Sequence, residues 1–471
     1  MSRDDALAYA AAHADRFRAD LDELLAIPSV SARSEHAGDV RHAAEWVAAR
    51  LAAAGMEARL VEGKGHPLVR ADWAGAPGAP TVILYGHYDV QPVDPLDEWE
   101  TPPFRPTVVD GFIRARGAAD DKGPTLAWIE AIDCWLRGGA GALPVNVVAL
   151  IEGEEEVGGR VLPDYVAANA AELGAKAEAV VILDIDGRAP GVPALAYGLR
   201  GICTMEVAVT GPSRDLHSGS FGGVVKNPCE ALAELLASCR NADGSIAIPG
   251  VVEGVRDLDP AERERFAASA PDATEAPAVL AETGAPELWG EAGHSVAERR
   301  TARPTFEVNG IFGGYQGEGS KTIIPARAGA KLSLRIVPDQ DPEKVVAALD
   351  AHLKAHAPKG VTVTTSRGFG SPPVIVDVEG GLARAAREAL RLGFGVEPAL
   401  TRVGGSIPVV SKFQSELGVT PLLLGTYRPG ERAHSPNERY HPDDFAAAIR
   451  TCVHLFAEMA AAERELRGAR R

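Results

Sequence analysis

Between Thr81 and Gly123 lies the feature that most restricts the fold. An apolar run, Thr81 to Tyr85, shows no polar alternation, breaks at Gly86 and is followed at once by His87 and Asp89. Such a run reads as a strand buried on both faces of a parallel sheet. Open α/β sheets bind ligands beyond the carboxyl ends of these strands, so the imidazole and the carboxylate can share one cleft. The stretch closes on Asp120-Asp121-Lys122-Gly123, just before a helical-looking run from Pro124 to Leu136. Two acids beside one lysine at that junction suit a divalent cation.

The same pattern recurs downstream. Val147 to Ile151 runs into Glu152-Gly153-Glu154-Glu155-Glu156, and Val180 to Leu183 ends in Asp184 and Asp186. Like charges crowded in this way need solvent or a cation. Helical periodicity between these runs, at Pro124 to Arg137 and Leu162 to Leu173, gives the alternation of a layered α/β domain. Amphipathic helices before Pro28 and at Val40 to Ala54 precede it, with short strands at Ala58 to Glu62 and Leu68 to Trp73. The character changes after Tyr197-Gly198-Leu199-Arg200-Gly201. A strand at Ile202 to Thr210, a helix at Asn227 to Arg240, strands at Lys331 to Val337 and Val361 to Ser366 and a helix at Asp341 to Ala355 predict a smaller α+β domain. Residues 241–303, rich in Ala, Pro and acids, read as an irregular, partly helical insertion. The predicted division is a catalytic domain at 1–199 and 374–471 with an inserted domain at 200–373.

At 471 residues the chain can bury two cores. A net charge of −17 argues against nucleic-acid and anionic-membrane partners, which need a basic footprint. Five scattered cysteines with no Cys-x-x-Cys pair fit a reduced, intracellular protein and exclude a thiolate zinc site as the main chemistry. The N-terminus lacks a signal-type apolar core and no run approaches the ~20 residues of a membrane span, so a cytoplasmic location is expected.

His87 offers an acceptor nitrogen, and Asp89 can take its other ring proton. By itself His-x-Asp suits a surface turn equally. A further histidine, His434, lies in the polar loop Gly430 to Glu438. If that loop returns to the same sheet edge, His87, Asp120, Glu156, Asp184 and His434 give each of two ions one histidine and one terminal carboxylate, with Asp120 shared. Glu155, beside a ligand yet free itself, is then the base for the bridging water.

With these residues in view, the chain resembles the dinuclear-zinc peptidase family of aminoacylases, glutamate carboxypeptidase and desuccinylases, and within it the cytosolic non-specific dipeptidases and carnosinases. The motifs run from LLAIPSVS (Leu24 to Ser31) through GHYDVQP, RGAADDKGP, EGEEEVG, YGLRG, DLHSG, GEGSKTIIP and GGSIP to AHSPNE (Ala433 to Glu438). The resemblance implies that His87, Asp184 and Asp120 hold one metal and Glu156, His434 and Asp120 the other. It makes Asp89 the residue that orients His87, Glu155 the general base, and the Asp120 to Asp121 bond cis. It implies that His217 reaches the partner subunit's site to hold the oxyanion, hence a homodimer through the inserted lid. Arg335, Arg402, Thr322 and Ser406 match substrate-holding positions, the arginines for a free carboxylate, with Asn309 and Gly404 to Gly405 beside them. The expected ions are zinc, with manganese or cobalt as alternatives. One departure is Val403, where dipeptidase relatives carry an acid; a valine cannot pair with a substrate ammonium. The resemblance makes cleavage of a dipeptide the expected activity; Val403 keeps an N-acyl amino acid deacylase as the alternative, with a catalytically idle small-molecule binding module as a remoter one.

Overall fold

The computed structural model describes residues 2–138 and 141–469. The chain forms two compact units, one of Met1–Tyr197, Val376–Thr401 and Lys412–Arg471, the other of Gly198–Ile375 with Arg402–Ser411. Residues 402–411, which the sequence reading assigns to the first unit, fold with the second. Layered α/β with an inserted α+β unit is the fold class the sequence predicts.

The first unit is built on a mixed sheet in the order Glu57–Val61, Leu68–Trp73, Asn146–Glu152, Thr81–His87, Ala177–Asp186, Thr420–Tyr427, Ala194–Leu199. Its centre is parallel. Tyr85 lies opposite Leu150 on one side and Ile182 on the other, and Thr420–Tyr427 runs parallel to Ala177–Asp186. Both faces are covered, which is why these runs are apolar without alternation. Val82 and Leu84 belong to the main core, whereas Tyr85 meets the Phe413 ring at 5.8 Å. The helices Lys122–Arg137, Gly381–Phe394 and Pro442–Ala469 pack together over the sheet. The last of these, over Pro442–Ala462, is long and apolar enough to cross a membrane, contrary to the reading that no run approaches that length. Two-thirds of it is buried, and it serves as a core helix.

The second unit has an antiparallel sheet ordered Thr305–Gly313, Arg327–Ile336, Gly201–Thr210, Thr362–Ser371. Alternate residues of Gly201–Thr210 are buried against the helices Pro228–Ser238 and Pro342–Ala355. Asn227 and Asp341 cap those helices, each accepting a main-chain N–H two residues on, and a proline follows each cap. Within 241–303 lie the helices Pro260–Ser269, Asp272–Thr283 and Val296–Thr301.

Candidate metal centre

Three parallel strands end at one edge of the first unit's sheet. His87 closes Thr81–His87 and sits level with Glu152, after which the turn Glu155–Val157 follows; Asp184 lies near the end of Ala177–Asp186. Asp120 comes just before the helix Lys122–Arg137, and His434 stands in the loop between Thr420–Tyr427 and Arg439–Tyr440. The fold brings all five predicted ligands together. His87 Nε2 is 3.1 Å from Asp120 Oδ1 and 3.8 Å from Asp184 Oδ2. His434 Nε2 is 2.9 Å from the other Asp120 oxygen and 3.2 Å from Glu156 Oε2. Two triads therefore share Asp120, the ligand atoms within each lying within 4.8 Å of one another.

The donor set fits divalent cations. His87 is fully buried, and its Nδ1 donates to the Asp89 main-chain carbonyl at 3.1 Å. That tautomer leaves the Nε2 lone pair facing carboxylate oxygens with no hydrogen bond of sound geometry. Acceptors that close need a positive charge between them. Burial, then Asp120 and Asp121, hold the Asp184 carboxyl well above its ordinary value, and burial with the neighbouring carboxylates Glu156, Asp120 and Asp89 raises Glu155 to about 7, against a lowering pull from His87. His434 is raised to about 10 by its bonds to Asp120 and Glu156.

The carboxylate of Asp89 does something the sequence did not suggest. It lies 3.5 Å from His87 Nδ1, accepts from Ser31 Oγ at 2.6 Å, and takes the main-chain N–H groups of both Glu155 and Glu156 at 3.2 Å. It thus fixes the turn that presents base and ligand. Asp121, across a cis bond from Asp120, accepts from His87 N at 3.2 Å and Thr125 Oγ1 at 2.7 Å. Gly86 is what lets it approach, since a Cβ there would strike Thr125 Oγ1 and crowd Asp121 Oδ2. Glu438 was also missed, although it closes the AHSPNE motif. Fully buried, it accepts from Arg116 Nη1 at 2.7 Å and from the N–H groups of Gly117, Ala119 and Asp120 at 2.9 to 3.1 Å.

The remaining predicted residues lie in the second unit. His217 is exposed, its Nδ1 accepting from Gly219 N, and Ser218 N donates to the carbonyl of Thr322, also exposed. Asn309 is the unpaired residue at an irregularity between Val308 and Gly310, a bulge that redirects side chains. Arg335 Nη1 donates to Ser406 Oγ at 2.9 Å. Arg402 differs from expectation: its Nε donates to Glu262 Oε1 at 2.7 Å, and both side chains are only 9% exposed. That guanidinium is engaged by an acid from residues 241–303 rather than presented to a ligand.

Residues 83–458 match the model of the peptidase family M20/M25/M40, and the chain belongs to that family. It is 34% identical over 466 residues to the Cys-Gly metallodipeptidase dug1 of Schizosaccharomyces pombe, covering 94% of this chain and 96% of that protein. It is 32% identical over 399 residues to the human Beta-Ala-His dipeptidase, covering 84% and 78%. Among solved structures it matches the M20 family metallo-carboxypeptidase Sso-CP2 of Sulfolobus solfataricus with a TM-score of 0.83 and 34% identity, over 94% of this chain and 99% of that one.

Proposed function

We propose that this chain is a dinuclear metallodipeptidase that hydrolyses the peptide bond of a small substrate bearing a free carboxylate. The observation that carries the reading is the pair of histidine-carboxylate triads sharing Asp120; the dipeptidases named above support the substrate class. Two divalent cations, zinc before manganese or cobalt, held by His87, Asp120 and Asp184 and by His434, Glu156 and Asp120, supply Lewis acidity and ease water deprotonation. Glu155 accepts the proton of the water whose oxygen adds to the carbonyl carbon, and returns it to the leaving nitrogen as the C–N bond breaks. Burial raises the Glu155 carboxyl above its ordinary value, which favours its holding the proton between the two transfers. Asp89 and Ser31 keep that carboxylate's turn fixed.

The proposal includes a homodimer through the second unit, where Val224 is 83% exposed and Phe221, Ile311 and Phe312 are exposed as well, apolar side chains that an interface would cover. There His217 of the partner subunit would donate to the oxyanion. Free cysteines suit a cytoplasmic setting. Val403 and the likeness to a metallo-carboxypeptidase favour a second reading, cleavage of an N-acylated amino acid. Comparing a dipeptide with its N-acetyl form separates the two. For the first, Glu155→Gln should lower kcat about 10³-fold with bound metal unchanged by elemental analysis; turnover within tenfold of the parent would remove Glu155 as the base.

A further inference from the structure

A substrate carboxylate must meet a positive charge that the protein has not already neutralised. Two guanidinium groups bonded to the segment Gly404–Ser406 in the second unit meet that condition. Among the described residues Arg335 bonds only to Ser406 Oγ. Arg200 donates from Nε to the Gly404 carbonyl at 2.8 Å and from Nη1 to the Arg303 carbonyl at 3.4 Å. Neither has a carboxylate within 4 Å among the described residues, although this chain is rich in acids. Burial lowers Arg200 to about 10, with the Arg335 and Arg300 charges adding to that shift and Glu307 opposing it, and burial lowers Arg335 as well. Desolvated like charges left together are unfavourable unless an anion completes them.

Arg200 also braces the loop that carries Ser406. Its main-chain N–H donates to Val403 O at 3.2 Å, its carbonyl accepts from Ser406 Oγ, and its side chain holds Gly404 O. Gly404 allows this approach, because a Cβ there would strike the Arg300 carbonyl and press on Arg200 Nη2. Ser406, with its proton committed to Arg200 O, is left as an acceptor that aims Arg335.

We propose that Arg200 is a positioning residue for carboxylate recognition, setting the Gly404–Ser406 loop and Arg335 into a receiver for the substrate's free carboxylate. This rests on the dipeptidase reading above. The test is kcat and KM of Arg200→Met, Arg200→Lys and Arg335→Ala on a dipeptide and on its C-terminal amide. Arg200→Met should raise KM for the free acid about tenfold, with kcat and the amide's KM moving less than threefold. Arg200→Lys, which keeps the charge but loses the fork that spans two carbonyls, should recover only part of that loss. Equal KM changes on acid and amide, or none, overturn the proposal, as does full recovery with lysine, which would leave charge without positioning. If Arg335→Ala discriminates acid from amide and Arg200→Met does not, Arg200 alone is excluded. If neither does, the carboxylate reading of the substrate falls as well.

Discussion

In the first unit His87 and Asp184 ride on the ends of parallel strands and the turn with Glu156 follows a third, whereas in the second Arg200 lies at a junction between strands, Arg335 in Arg327–Ile336 and Arg402 in Ala399–Val403, and their partners decide what each can do. The acids and imidazoles at the sheet edge are crowded by register: His87 level with Glu152, and Asp184 one strand over. Their repulsion is built in, so they need cations. The arginines differ in a subtler way. Arg402 is neutralised by Glu262, while Arg200 and Arg335 are left with carbonyl and hydroxyl partners. Position alone defines the metal cradle; neutralisation defines the anion receiver.

The largest effect should come from the residue common to both triads. Asp120→Asn removes the shared charge and should lose both ions on dialysis, whereas His434→Ala should lose one. Elemental analysis of the two variants settles it; equal stoichiometry in both would mean that Asp120 is not shared. The apo form should bind at two affinities in the parent and at one in His434→Ala.

A smaller loss is expected from Glu438→Gln. The carboxylate touches no predicted ligand side chain, yet it fixes the main chain of Gly117 to Asp120. It also follows His434 by four residues, in a loop where Arg432, His434 and Asn437 all hold φ near +60°. Non-glycine residues adopt that region only when neighbours enforce it. Changing such an outer partner costs about 10–100-fold in metal affinity. Titration of the apo protein with zinc against a chelator reads this; unchanged affinity would make Glu438 a purely structural anchor.

Much of the cradle was legible because apolar runs of fixed length, each ending in acids, leave one sheet edge for those acids. His434 was harder. No strand delivers it, and only its motif suggested the return of a loop shaped by left-handed residues. In the second unit, the strand Thr305–Gly313 escaped because Asn309 and Gly310 interrupt alternation at the bulge; in the mixed sheet, Ala194–Leu199 escaped because its residues are buried without β-branched character. Arg402 was recognised as an arginine of the right kind, but its acid lies 140 residues away in a stretch with little strand signal. Nothing local to either residue announces that pair.

The smallest effect on substrate binding should follow from removing the pair together. A buried ion pair replaced by apolar side chains of similar volume is often neutral in stability, while removal of one partner strands a charge. The double variant Arg402→Met with Glu262→Met should therefore fold and keep KM for the free-acid dipeptide within about threefold, against the tenfold rise expected for Arg200→Met. Arg402→Met alone should instead lower the melting temperature, because it leaves Glu262 buried at 9% side-chain exposure with its guanidinium partner gone. A tenfold KM rise in the double variant, confined to the free acid, would return Arg402 to the receiver and erase the distinction between neutralised and available arginines.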